Sequence, residues 1–458
     1  MATKVSRYPL TNITMVDSYS VYHTKETGPF IKRYINILML FFPLTAFLLI
    51  PAIPSTTITT VFAGLMLFLI PLSTFTVEKS FFITELFYFF CVIAVLSFFS
   101  QFINLVGHLK LSTDVILINK KDFTKTFYRP SHITQSLSLI VGFIIYTYVK
   151  YFSTEKIVKY IYWGLRLLCI YGLYEFAYYI LTGQNGDFIV NRTFGAGEKS
   201  GSLFQTVSLG GISLMRFKGY TGEPSMFVFT VFPFWVLSFG LKRKFDMYFL
   251  LGCLILSFST TAYLCIIMFL SYWIIHKRQF QIFFYMCIFI VVICFVLQLD
   301  RFQHLLDSIY KFVFAGKMEG EAASSKERSN AFNNHVAYWA SFNPFNQAFG
   351  IGFGYVRSTD FFSTIIVNNG IVGFLVFTWF VLKNLWLDIP IKLLSICYKI
   401  GLFMVYLIMM ATVPEFAYPS LWIYIGLGFV LKSMKETPDE TAEEKSNVIH
   451  INKTLLAN

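Results

Sequence analysis

The sequence predicts an all-α integral membrane protein with about twelve spanning helices, and three observations predict it. The chain of 458 residues is 56% hydrophobic and only 14% charged, with 54 Phe and 27 Tyr, more apolar surface than a soluble fold of this size can cover. The apolar residues fall into runs of roughly 17 to 25, the length at which a helix crosses a hydrocarbon core about 30 Å thick. Backbone polar groups in lipid must be satisfied within their own segment, which makes each run a helix. The alternating stretches of roughly ten residues that mark an outer-membrane barrel are missing.

In chain order the expected spans are 33–50, 57–75, 82–104, 132–150, 156–181, 224–240, 245–258, 260–275, 280–297, 361–382, 393–413 and 415–431. The polar segment 1–32 contains Pro9 and Pro29 and no short apolar core with a small-residue cleavage site, so the first span is expected to serve as the insertion signal. The tail, 432–458, is charged and expected to be disordered. All seven cysteines lie in apolar runs, so no disulfide staples the polar loops.

A net charge of +12 does not point to nucleic acid here, because the basic residues come in short clusters between hydrophobic runs. With a cytoplasmic N-terminus, "KYFSTEKIVK" (150–159), "KRK" (242–244), "HKR" (276–278) and the tail all lie inside, as the positive-inside rule requires. Residues 105–131 disagree: Lys110, Lys120, Lys121, Lys125 and Arg129 fall outside, which implies an interfacial helix or a miscounted early span. The short seventh span, followed by "SFSTTAY", reads as a broken or re-entrant element.

Two polar loops, 182–223 and 298–358, lie on the outer side and have the length of functional loops. The first is glycine-rich and holds Arg192 and Arg216. The second holds Arg301, Arg328 and Arg357, reads as helical around "RFQHLLDSIYKFVF" (301–314), and contains the polar linker "KMEGEAASSKERSN".

Familiar catalytic signatures are missing. The seven histidines show no paired spacing, no Asp-x-Asp pair exists to hold a divalent ion, and no Walker A loop is present. "GIGFGY" (350–355) has the wrong glycine spacing for a dinucleotide loop. No metal or cofactor is therefore expected. What remains is cationic: Arg192, Arg216, Lys218, Arg328 and Arg357 all sit on the outer side. Guanidinium groups bind phosphate oxygens bidentately, and in a partly dehydrated cleft they neutralise a departing diphosphate without a metal. For each arginine alone the competing reading is snorkelling or pairing with a neighbouring acid. Arg166 and Glu175 sit inside an apolar run, where each costs roughly 2.5 to 3.5 kcal/mol, so both should face the bundle interior or a wet cavity. Arg166 is the deeper of the two. Pro224 suits the first turn of a helix and Glu223 complements the positive end of its dipole. The sharper reading makes Glu223 a carboxylate that orients the arginines or accepts a proton from a sugar hydroxyl.

In this order, "RFKGYTGEPSMFV", "SFSTTAY", "ERSNAFNNHVAYWASFNPFNQAFGIGFGY" and "TDFFSTIIVNNGIVGFLVF" resemble the O-antigen polymerase (Wzy) family, relatives of the O-antigen ligases, over roughly residues 210–382. The resemblance implies a GT-C-type bundle with two long periplasmic loops. It implies a metal-independent glycosyltransferase of the bacterial inner membrane that joins undecaprenyl-diphosphate-linked oligosaccharide units into O-antigen or a related surface polysaccharide. It also implies a chain-length regulator protein as partner. Functional roles carry over to Arg216, Arg328, Arg357 and Glu223, with Arg192 a looser match. Where the ligases carry a histidine and an asparagine ahead of the glycine that is Gly370 here, this chain has Thr359 and Asp360, which favours polymerase over ligase. The expected catalytic set is Arg216, Glu223, Arg328 and Asp360, and the expected substrate-binding set is Arg192, Lys218, Arg357 and Arg166. The competing readings are a ligase-like transferase and a lipid-linked oligosaccharide flippase, whose charges would lie near the midplane between short loops.

Overall fold

A computed structural model of the protein describes residues 29–51, 56–72, 77–107, 109–118, 123–192, 204–209, 212–276 and 323–434. The elements are α1 (Pro29–Phe41), α2 (Ile58–Leu72), α3 (Val77–Val106), α4 (Pro130–Phe152) and α5 (Ile157–Thr182). A hairpin follows, β1 (Thr206–Leu209) and β2 (Ile212–Met215), and then α6 (Pro224–Gly240), α7 (Lys244–Leu256) and α8 (Thr260–His276). The chain continues with α9 (Ala323–Ala340), α10 (Pro344–Phe349), α11 (Phe361–Leu382), α12 (Lys392–Thr412) and α13 (Pro419–Lys432). Among the described residues, α3, α4, α11 with its short extension to Trp386, and α12 are long and apolar enough to cross a membrane. The expected span 280–297, the expected helix 301–314, residues 1–28 and the tail beyond 434 lie outside the described residues.

Helix α6 is the centre of the bundle. Its sequence, PSMFVFTVFPFWVLSFG, is apolar all round, so no face of it can be turned to water. Phe227, Phe229, Phe232, Phe234 and Trp235 are fully buried, and α12 and α7 pack along it while α13 packs on α4. Pro224 occupies the first turn and Glu223 the N-cap position, as the sequence suggests.

Four local departures from the expected spans shape one end of this bundle. Helix α1 stops at Phe41 rather than running to residue 50, because Pro43 cannot donate to a helical carbonyl. The chain then turns and docks on the first long loop: Ala46 N–H donates to the Tyr220 carbonyl at 3.2 Å, and the Ala46 carbonyl accepts from Arg192 N–H at 3.2 Å. Helix α13 begins only at Pro419, leaving 413–418 as a loop. The basic stretch 105–131 forms no interfacial helix among its described residues. It packs on the second long loop instead: Leu117 bridges Val356, Ile118 N–H donates to Tyr355 (3.1 Å), and Arg357 N–H donates to Ile116 (2.9 Å). Half of the expected polar linker is helical, since α9 starts at Ala323 among good helix formers and lays Phe332 against Phe362 of α11.

The glycines of "GIGFGY" serve the backbone. Helix α11 is broken at Gly370 (φ 64°), which frees carbonyls one turn earlier. Ile351 N–H takes the Val367 carbonyl (3.1 Å) and Gly352 N–H takes that of Asn368 (2.8 Å). The two chains come so close that a Cβ on Gly350 would lie 2.3 Å from the Asn368 carbonyl carbon, and one on Gly370 would lie 2.3 Å from that of Ala348. This docking holds the segment that leads to Arg357.

Candidate functional site

The hairpin delivers Arg216 to the start of α6. Its backbone N–H donates to the Gln205 carbonyl at 2.9 Å and its Nη1 to Gln205 Oε1, while Nε reaches the Ser257 carbonyl at 3.4 Å. Ser257 is the cap of α7, which is only 13 residues long, or about 20 Å. "SFSTTAY" forms the turn between α7 and α8. Phe217 N–H closes the same junction on the Leu256 carbonyl at 3.0 Å. Two glycines at positive φ, Gly219 (55°) and Gly222 (82°), then turn the chain into Glu223 and α6.

Glu223 Oε1 accepts from Ser225 Oγ at 2.6 Å and lies 3.7 Å from Nη2 of Arg328 on α9. Arg328 is 44% exposed and has room to turn toward a ligand. Arg216 is half-buried, and burial pushes its guanidinium below the ordinary arginine range; Glu223 opposes that shift and Arg328 adds to it. The set therefore holds two cations and one carboxylate, with one cation short of both solvent and counter-charge. Such a group gains more from an added anion than an exposed arginine does.

A second set stands on the loop that precedes α13. Glu415 Oε1 accepts from Arg192 Nη2 (2.9 Å) and also from Arg357 Nη2, and Arg192 Nη1 donates to the Tyr418 hydroxyl at 2.9 Å. Burial alone would raise the Glu415 carboxyl, but Arg357 and Arg192 outweigh it and hold it below the usual carboxylate range. Arg192, Arg357 and Glu415 line a small cleft with Gln135, Asn368, Val356 and Phe416. The Tyr418 hydroxyl also contacts Met226 Sδ at 2.6 Å, in the first turn of α6. Both sets thus stand around the N-terminus of α6, whose partial positive charge favours an anion further.

The other expected residues lie elsewhere. Lys218, two positions after Arg216, is fully buried, with Nζ 2.8 Å from Glu175 Oε1 and 3.2 Å from Asp187 Oδ2. It is saturated by acids and ties α5 to the hairpin side of the bundle. Asp360 caps α11: Oδ1 accepts from Ser363 N–H (2.7 Å), and Oδ2 accepts from Ser363 Oγ (2.6 Å) and Ser358 Oγ (3.2 Å). Arg166 makes a two-point pair with Asp246 (2.7 and 3.0 Å) beside Arg243, at the turn between α6 and α7. That turn is at the opposite end of α6 from the arginine sets. As expected, Arg166 and Glu175 do not pair with each other; each finds its acid or base on another element.

Sequence reasoning missed Glu415, Tyr418 and Gln205. For Glu415 a signal exists: "VPEFAYPS" places one acid between two prolines at a helix boundary, and a proline at the first helical position would have moved that boundary to Pro419. The hairpin was also legible, since "TVSLGGISLM" alternates around Gly-Gly. No protein family, curated protein or solved structure compared with the chain matches it.

Proposed function

We propose that the protein is a metal-independent glycosyltransferase that polymerises undecaprenyl-diphosphate-linked oligosaccharide units into O-antigen or a related surface polysaccharide. In this reading about twelve spans form a GT-C-type bundle in the bacterial inner membrane, and the end carrying Arg216 and Arg357 faces the periplasm. The observation that carries the reading is the gathering of guanidinium groups around one helix N-terminus: among the described residues, Arg216 and Arg328 stand at Glu223, and Arg192 and Arg357 at Glu415. A lipid diphosphate is an anion that fits such a site, and its departure needs the charge stabilisation that arginines supply.

The roles divide accordingly. Arg216 and Arg328 neutralise the diphosphate as it leaves, and Arg192 and Arg357 hold anionic substrate at the cleft beside Glu415. Glu223 holds Arg328 in place and accepts the proton of an incoming hydroxyl. Asp360 is a positioning residue: it fixes the start of α11 three residues after Arg357. Lys218 and Arg166 hold the bundle together through their own acids.

The test is a deletion in the native host, complemented with Arg216→Ala and Arg328→Ala variants, followed by electrophoresis of the surface polysaccharide. Both variants should insert normally and give glycan one unit long. Full chain-length ladders from both would reject the assignment, and lipid A core lacking even one unit would shift the reading to a ligase.

A further inference from the structure

The stretch 109–118 carries no residue of either arginine set, yet it binds elements that carry one arginine from each. Val115 and Leu117 bury their side chains with Ile351, Tyr355 and Val356 in a small apolar cluster of their own, against which Tyr338 of α9 packs. Helix α9 also holds the backbone of the stretch: the Tyr338 hydroxyl donates to the Lys110 carbonyl at 2.8 Å, and Asn334 Nδ2 donates to the Asp114 carbonyl at 3.2 Å. Next to Asn334 on the same helix stands His335, which is fully buried.

Both ring nitrogens of His335 are committed, and their partners decide its protonation. Nδ1 lies 2.6 Å from the Ala331 carbonyl, which can only accept. Nε2 lies 3.3 Å from Ile116 N–H, which can only donate. The ring is therefore neutral, with its one proton on Nδ1. A second proton would go to Nε2 and would set two donors face to face. Ile116 passes the contact on, since its carbonyl accepts from Arg357 N–H at 2.9 Å. One residue thus joins α9, which carries Arg328, to the segment that carries Arg357.

Resting on the proposed function, we propose that His335 is a positioning residue: in its neutral form it holds, through Ile116, the segment that presents Arg357 to the diphosphate, and on protonation it lets that segment go.

The charges near the ring do not replace the lost contact. Asp360, at the start of α11, favours a protonated ring, but its oxygens already accept from Ser363 and Ser358. Asp114 and Lys110 stand on the stretch itself. Lys326, Glu327 and Arg328 lie about two turns before the histidine on α9, and α10, which packs on α9, carries no charge. Burial pushes the His335 imidazole below its ordinary value, and the Ala331 carbonyl and Asp360 offset only part of that. The docking of 109–118 is therefore at full strength above the ordinary histidine value of about 6.5, and it weakens as pH falls from there through the lower folded value.

Glutamine places an amide oxygen near the position of Nε2 and accepts from Ile116 N–H at any pH. Purified wild type and His335→Gln are titrated with undecaprenyl diphosphate at about pH 7.5 and about pH 5. Hydrogen exchange of 109–118, corrected for its intrinsic rate, is followed at the same two values. Titration of Glu223, Glu415 and the diphosphate is common to both proteins and cancels in the comparison. At the higher pH the two proteins should bind alike. At the lower, wild type should lose about tenfold more affinity than the variant, the scale of one buried hydrogen bond left unmade, and only in wild type should 109–118 lose protection. In an Arg357→Gln background, His335→Gln should no longer change the pH course, because the arginine it positions is gone. A difference that persists there makes the role merely structural and overturns the proposal, as does an identical pH course for wild type and His335→Gln. Should His335→Gln fail to fold, the exchange of wild type alone decides: unchanged protection of 109–118 across that range overturns it. If wild type binds no diphosphate at either pH, the proposed function falls, while the exchange still decides whether His335 controls the docking.

Discussion

Arg216 and Lys218 lie two residues apart in one short stretch, "RFKG", and the structure gives them opposite surroundings. Lys218 sits in the dry interior between Glu175 and Asp187, one cation to two carboxylates. Arg216 stands with Arg328 around Glu223, two cations to one carboxylate. A cation supplied with acids beyond its own charge has nothing left to offer a ligand and acts as a strut. One that is partly buried and short of acid is a place where an anion lowers the energy of the protein. The ratio of local acid to base, more than the presence of a basic residue, separates these two neighbours. Position completes the sorting: Arg166 and Arg243 share Asp246 just as Arg192 and Arg357 share Glu415, but only the second pair lines a cleft near the N-terminus of α6.

Replacing each member of the pair should separate the two behaviours most sharply. Lys218→Met leaves two buried carboxylates without their cation and should destabilise the protein by about 3–5 kcal/mol, visible as a large loss of thermal stability in detergent. A variant as stable as wild type would remove the distinction. Arg216→Ala, by contrast, should lower turnover by about 10²–10³-fold while shifting stability by only about 1 kcal/mol. Arg216→Lys should recover little of that activity if both phosphate contacts of the planar fork are used.

Glu415 sharpens the comparison through pH. Its carboxyl is held below the ordinary value by Arg357 and Arg192, so its folded form binds a proton less readily than its unfolded form. The stability it contributes is present above the unfolded value, about 4.3, and is lost as pH falls through the lower folded value. Acid titration of unfolding should show this step in wild type and lose it in Glu415→Gln. An unchanged titration would mean that the two arginines do not hold that carboxylate.

The smallest effect belongs to Asp360. Asparagine caps a helix about as well as aspartate, so Asp360→Asn should change stability by only a few tenths of a kcal/mol and keep most activity, whereas Asp360→Ala should cost about 1 kcal/mol. Loss of turnover in the Asn variant at unchanged stability would return Asp360 to the chemistry.

Much of the frame was legible because helices announce themselves by apolar length and by proline: Pro224 marks the start of α6 and Pro130 that of α4. The places where the expected spans overran are also explained by proline, since α1 gives way before Pro43 and α13 waits for Pro419. The arginines were legible as residue types, but their pairing was not. Which acid meets which base depends on contacts between residues as distant as Arg192 and Glu415, or Arg357 and the loop after α12, and no local spacing encodes that. For the same reason Lys218 and Asp360 looked like ligands in sequence and act in the structure as a strut and a cap.

Direct binding tests the central claim most plainly. Purified wild-type protein and an Arg216→Ala/Arg328→Ala double variant are titrated with undecaprenyl diphosphate and, separately, with undecaprenol, at low and high salt. The account predicts that wild type prefers the diphosphate, that this preference fades as salt rises, and that the double variant loses it while still binding the alcohol. Equal affinity of the two proteins for the diphosphate, at the same salt, would contradict it.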